Sequence, residues 1–283
     1  MTSSMDPSPA AQAARDPTQL AAGTRLGGGR YTVSRPVRRG LFGLLYEAAD
    51  ATTGQGVTIH LLDPRLARAR GLVDRLAEDA RRAAGLSHKN IAQVIELAIE
   101  GPHTYLVTEL CEGHSLRELL ERKRQTGTVG FGAQGAVNVV THVAAALAAA
   151  EAQAPHGALS LDCVAVSRAG RVRVSDFGLA AAVPALAQLV AVPPSLAPEI
   201  LSGGPATAAA DVYGLGALLY EVLVGAPAVK GCKRPSEAVP GVPPAVDQVI
   251  ARSMSPSPER RFPGVEALRE AIAAALAGAS RAS

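Results

Sequence analysis

The stretch from His156 to Gly178, HGALSLDCVAVSRAGRVRVSDFG, carries an imidazole, two carboxylates and a thiol in one short run. Asp176, between Ser175 and Phe177–Gly178, offers the hard oxygen that Mg²⁺ prefers, whereas the Cys163 thiol is a soft ligand ill suited to it. Asp162, beside Cys163, offers a second carboxylate, with a loop-capping acid as its plainer role. Far upstream, Gly40 and Gly43 lie in the turn VRRGLFGLL (37–45), where backbone N–H groups can cradle phosphate oxygens. Two glycines in a hairpin turn are equally ordinary turn chemistry. His60 sits in GVTIHLL (56–62); with an unperturbed pKa near 6.5, an imidazole is mostly neutral at pH 7 and would hold an anion poorly. Arg38 and Arg39 are then either anion ligands or a solvated basic turn.

The elements that must hold these residues follow from periodicity. Residues 1–28 lack it, are rich in Ser, Pro and Ala, and read as a disordered leader. From Tyr31 the pattern is strand-like: YTVSRPVRR, GLLYEAAD, a turn at ATTGQG, then GVTIHLL. A helical stripe follows at Leu72, Leu76, Ala80, Ala83 and Ala84, and IAQVIELAIE and HTYLVTEL read as two further strands. Beyond them SLRELLERK and FGAQGAVNVVTHVAAALAAAEAQ read as helices, the second long and largely buried but too short and interrupted for a membrane.

Taken in order, these segments resemble the eukaryotic-type (Hanks-type) Ser/Thr protein kinases over about residues 30–278. Asp176–Phe177–Gly178 matches D-F-G, Ala197–Pro198–Glu199 matches A-P-E, DVYGLGALLY (211–220) matches the start of the central C-lobe helix, and PERRF (258–262) matches P-x-x-R-F. The resemblance implies an α+β, two-lobed fold. It divides the chain into a leader (1–28), an N-lobe of antiparallel sheet plus one helix (29–110), a larger, mainly helical C-lobe (111–278) and a tail (279–283). It also implies roles: Gly40 and Gly43 over nucleotide phosphates, Thr108 as gatekeeper, Glu109 to Cys111 offering main-chain groups to an adenine edge, and Asp176 on Mg²⁺. Glu199 and Arg261 should form a buried salt bridge, with Asp211 the anchoring acid of the central helix.

The departures from the family pattern fall on the chemistry. Arg38 replaces the first Gly of the phosphate turn, His60 the phosphate-clamping Lys, and Asp79 the helix Glu that pairs with it. Gly157 replaces the Arg of H-R-D, Ala158 its catalytic Asp, Ser160 the following Lys, and Cys163 the metal-binding Asn. The activation segment LAAAVPALAQLVAVPPSL (179–196) has no charge and Ser195 as its sole hydroxyl; it either packs on its own cleft or docks a partner. Between Gly225 and Pro235 the helix usual in the family is missing.

Composition bounds the rest. The 283 residues carry a net charge of +3, and the Arg-rich run 64–82, interspersed with acids and without aromatics, reads as a solvated helix face and not a nucleic-acid surface. Three irregularly spaced cysteines give no metal set or disulfide framework. No uninterrupted apolar run spans a membrane and the first 25 residues hold no signal-like core, so the expected setting is cytoplasmic. The Ala- and Arg-rich, Lys-poor usage is of the kind found in bacteria with GC-rich genomes. Phosphoryl transfer needs a Lys on the phosphates, metal held by Asp and Asn, and an Asp to take the substrate proton. Asp176 alone remains, so the expected function is that of a pseudokinase, a binding or scaffolding module for protein partners such as another kinase or a signalling protein. It requires no cofactor, with ATP, with or without Mg²⁺, at most a weak ligand. The alternatives are a weak or non-standard ATP-dependent Ser/Thr kinase, using Arg38 and Asp162, and a nucleotide-sensing switch.

Overall fold

The structure, a computed structural model, describes residues 19–69 and 71–277. Six strands form one antiparallel sheet in the order β1-β2-β3-β4-β6-β5: β1 (Arg25–Leu26), β2 (Tyr31–Arg39), β3 (Gly43–Asp50), β4 (Gly56–Leu62), β5 (Val94–Glu100) and β6 (His103–Glu109). Central β4 is buried on both faces, which is why GVTIHLL reads as an almost continuous apolar run. Register places His60 opposite both Leu45 of β3 and Leu106 of β6, so His60 sits at the middle of the sheet.

The expected leader is corrected at its C-terminal end. Residues 25–26 pair with Tyr31 and Thr32 across a turn in which Gly27, Gly28 and Gly29 all take positive φ, a conformation glycine adopts freely. Leu20 is buried, and its N–H donates to the Tyr46 hydroxyl (3.1 Å). Residues 1–18 of the leader and the tail lie outside the described residues.

Helix α1 (Leu72–Ala84) buries Leu72, Leu76, Ala80 and Ala83, as its stripe predicts. After a short strand β7 (His114–Ser115), α2 (Leu116–Gln125) opens with a capping box: Glu118 N–H donates to Ser115 Oγ (3.2 Å) and Ser115 N–H to Glu118 Oε2 (2.8 Å). Helix α3 (Gly132–Ala150) is long and apolar enough to suit a membrane by length and composition. It is nonetheless a core helix of the C-lobe, burying Val140, Val143, Ala144 and Leu147. Strands β8 (Val164–Val166) and β9 (Val172–Val174) form the hairpin that carries Asp176, and β8 pairs on its other edge with β7. Short α4 (Val183–Ala187) and α5 (Pro198–Leu201) precede buried α6 (Ala208–Val224), and α7 (Pro235–Ala238), α8 (Pro244–Ser253) and α9 (Val265–Ala277) complete the lobe. No helix stands between Gly225 and Pro235, as the sequence implies.

The core does not respect the lobe boundary. One cluster fills the outer face of the sheet around Tyr31, Tyr46, Ile59 and Tyr105. The larger one runs without interruption from Phe42, Leu62 and α1 through Val174, Phe177 and Leu179 to α3 and α6. The two lobes are therefore fastened through the place where a cleft would open.

Candidate functional site

At the floor of that junction His60 and Asp176 meet. Nδ1 of His60 lies 2.8 Å from Oδ1 of Asp176, and the residues are 4% and 5% exposed. The other ring nitrogen stands 3.1 Å from Thr108 Oγ1, whose own hydroxyl donates to the Glu109 carbonyl (3.2 Å). An ionised carboxylate can only accept, so His60 Nδ1 is the donor to Asp176. Burial would raise the Asp176 carboxyl, but the His60 charge and hydrogen bond, with His156 and Arg38 adding to them, hold it below its ordinary value. Ser175 Oγ donates to the same Oδ1 (3.2 Å). Asp176 takes φ +67, alone in positive φ among the described non-glycine residues, so the D-F-G turn is formed around this pair.

Phe42, the tip of the phosphate turn, closes the space above. It is 4% exposed and belongs to the main core; with Leu41, Leu62, Leu179, His60 and Asp176 it encloses a void of only ≈10 Å³. The turn is pinned by Gly40 N–H to Gly43 O (2.8 Å) and Asp63 N–H to Phe42 O (2.9 Å).

Arg38 bridges the lobes. Its Nη2 donates to the Asp162 carbonyl (2.6 Å), and the Asp162 carboxylate is held by Arg117 Nε (2.8 Å). Asp162 is thus an ion-pair partner and not a loop cap. Each end of the Arg38–Asp162 bond lines a different cavity. One, ≈550 Å³, is walled by Arg38, Leu45, Thr58, His60, Thr108, Cys111 and Ala165; the other, ≈540 Å³, by Gly40, Phe42, Gly43, Arg117, Asp162 and residues 190–193.

Several expected positions fall elsewhere. Glu109 does not line the first cavity: its N–H donates to Gln93 O (2.8 Å) and its carboxylate pairs with Arg173. Gly40 and Gly43 line the second cavity, away from the Thr108–Cys111 strand end. Asp79 pairs with Arg82 on its own helix, and among the described residues no ion pair joins it to His60. Ala158 is buried and offers a methyl group; Ser160 is buried with its hydroxyl unpartnered. Cys163 donates its thiol proton to Ser160 O (3.1 Å), and burial raises that thiol above its ordinary pKa, as it raises the Cys111 thiol to about 12. Both cysteines are therefore thiols, and among the described residues no three His, Cys, Asp or Glu side chains form a metal set.

The frame around the site is intact. His156 Nε2 bonds Ser175 O (2.8 Å) and its ring packs edge-on against Phe177, centroids 4.6 Å apart. Asp211 accepts the N–H groups of His156 (2.8 Å) and Gly157 (2.7 Å). Glu199 and Arg261 form the expected two-pronged pair, Nη2 to Oε2 at 2.8 Å. The activation segment packs inward through Leu179, Val183, Leu186 and Leu196, all buried.

Phe42, Ser175 and Arg117 were not legible as site residues. The first is one of two apolar residues between two turn glycines, and the other two act through main chain or through a partner distant in sequence.

A family profile described as protein kinase domain matches residues 31–257, and the chain belongs to that family. Among curated relatives, the serine/threonine-protein kinase PknL of Mycobacterium tuberculosis is 29% identical over 93% of this chain and 69% of its own length. Serine/threonine-protein kinase PknA of the same species is 29% identical over 88% of this chain, which spans 62% of the relative's length. Among solved structures, the M. tuberculosis PknI kinase domain superposes with a TM-score of 0.76 at 22% identity, covering 92% of this chain and all of that one. A chain described as PpkA-294 in its apo form gives 0.70 at 18% identity, covering 90% and 99%.

Members of this family use ATP and Mg²⁺ in general, and the residues here do not fit that pair as a unit. Asp176 is spent on His60, Cys163 is a protonated thiol, and the ≈10 Å³ beside Asp176 has no room for a hydrated cation. The base end of the cleft, by contrast, keeps its space.

Proposed function

We propose that this chain is a pseudokinase, a protein-kinase domain that binds and does not transfer phosphate. The observation that carries the reading is the closed His60–Asp176 pair, sealed beneath Phe42. On this reading the family's one retained metal ligand is half of a buried structural contact with His60. Ala158 supplies no proton acceptor, and the chemistry of this family rests on several preorganised groups acting together. The Asp162 carboxylate, which a non-standard transferase would need, is engaged by Arg117.

On this reading no cofactor is required, and the domain serves a protein partner, another kinase or a signalling protein, in the cytoplasm. The kinase names of PknL and PknA support the signalling setting, and the absence of aromatic interleaving in the basic run speaks against nucleic acid. Thermal unfolding with ATP, in Mg²⁺ and in EDTA, tests it. A ligand at 100 times its Kd adds about 2.7 kcal/mol of stability. The melting temperature should show no Mg²⁺-dependent rise; such a rise would place a metal on Asp176 and favour the nucleotide-sensing switch.

A further inference from the structure

Away from the cleft, helix α2 ends in Arg122, Lys123 and Arg124, and the loop after α6 carries Lys230, Lys233 and Arg234. Neither run, 122–129 or 226–234, contains an acid. The fold stitches the two together. Arg124 Nε donates to the Gly225 carbonyl (3.1 Å), and Phe131 N–H donates to Val222 O (2.8 Å). A Cβ on Gly225 would stand 2.8 Å from Val129 Cγ1, so Val129 leans on the start of the second run. The far end of that run is fixed where the Tyr220 hydroxyl donates to Lys233 O (2.9 Å).

Arg234 pairs with Glu237, but among the described residues Arg122, Lys123, Arg124, Lys230 and Lys233 form no ion pair. Glu221, the acid whose charge Arg124 feels from beneath, is buried. Cations in the last turn of α2 suit the helix dipole, yet Lys230 and Lys233 stand on a loop, where no such role holds them. Beside the cations two apolar tips project: Val129 is 66% exposed and Val229 54%. Unpaired basic side chains set around bare aliphatic tips suit the boundary of an anionic bilayer, with charge at the headgroups and the tips toward the acyl chains.

We propose that this face docks on an anionic lipid surface and so holds the domain against a membrane. The inference goes beyond the pseudokinase reading and is independent of the cleft. The cations and both valines are spread over two neighbouring segments, so a broad charged plane meets all of them at once. A single extended acidic strand would run along one segment and leave the other bare.

Co-sedimentation of the whole chain with vesicles reads this directly. Phosphatidylcholine mixed with phosphatidylglycerol should bind the protein at least about tenfold more tightly than phosphatidylcholine alone, since each basic residue near an anionic surface adds about fivefold. The preference should fade as salt shortens the screening length. Lys230→Glu with Lys233→Glu, both exposed, should abolish it. Arg75→Glu with Arg81→Glu on α1, an equal change of net charge at another exposed basic run, should leave it in place. Should the double lysine variant fail to fold, Lys230→Gln alone should cost about fivefold. Equal binding to both kinds of vesicle, binding to neither, or equal loss in the two double variants overturns the proposal. So does capture of soluble poly-glutamate through Lys230 and Lys233 with the vesicles left unbound, which would assign the face to an acidic protein.

Discussion

His60 Nδ1 lies 2.8 Å from Asp176 Oδ1, inside a protein interior that leaves neither side chain more than 7% exposed. This contact joins the central strand of the N-lobe sheet to the D-F-G turn of the C-lobe, and it occupies the carboxylate that metal chemistry would need.

Removing one partner of a buried ion pair strands the other, typically at about 3–5 kcal/mol. His60→Ala should cost that much in denaturant unfolding at neutral pH. The pH dependence should also change sign. In the unaltered chain Asp176 is held below its ordinary value, so its contribution is present above about pH 4 and lost as pH falls further. Without His60, burial dominates, the folded carboxyl rises above its unfolded value, and the variant should gain stability as pH falls from neutral toward 4. Parallel pH profiles for the two proteins would contradict the assignment of the charge to this pair.

Asp211 behaves in the opposite way to Asp176. Burial pushes its carboxyl up to about 7, although the N–H groups of His156 and Gly157 favour the charged form. A raised carboxyl contributes stability that is present below pH 4 and lost as pH rises toward 7. Asp211→Asn, which cannot ionise, should flatten the stability profile across that window. It should also weaken one N–H contact, at about 1–3 kcal/mol. An unchanged slope would mean that Asp211 stays charged throughout.

Arg261 is fully buried while Glu199 keeps 24% of its side chain exposed, which sets their pair near the low end for buried ion pairs. Glu199→Ala should cost about 3 kcal/mol, read as a fall in denaturation midpoint with unchanged slope. A loss under about 1 kcal/mol would put the pair with ordinary surface bridges.

Leu186 anchors the activation segment at 3% exposure. Elastase cuts after small aliphatic residues, which fill 179–192, yet the native chain should resist cleavage there because the segment is packed. Leu186→Asp should release it and yield fragments ending between 180 and 192. Equal resistance of both proteins would show that the segment is held by other contacts.

The kinase-like frame was legible because its marks are local: Asp176–Phe177–Gly178, Ala197–Pro198–Glu199 and the Arg261 motif each sit in a few consecutive residues. The strand pattern of β2 to β4 and the stripe of α1 were equally local. Less legible was the start of the sheet, since Leu20 and Leu26 are single apolar residues around a glycine turn and carry no periodicity. The state of the site was not legible either. The substitutions at 60, 158 and 163 could be read, but not that His60 would pair with Asp176, because that depends on a contact between distant segments. The Arg38 bridge ends on a carbonyl, which has no side-chain signature at all.

The most direct test of the account is transfer of the γ-phosphate of ATP, in Mg²⁺, to the chain itself and to a Ser/Thr peptide, with Ala158→Asp/Cys163→Asn/His60→Lys measured beside it. The account expects no Mg²⁺-dependent transfer by the unaltered chain above the background of a sample without protein. Mg²⁺-dependent transfer by that chain, abolished by Asp176→Asn, would contradict it.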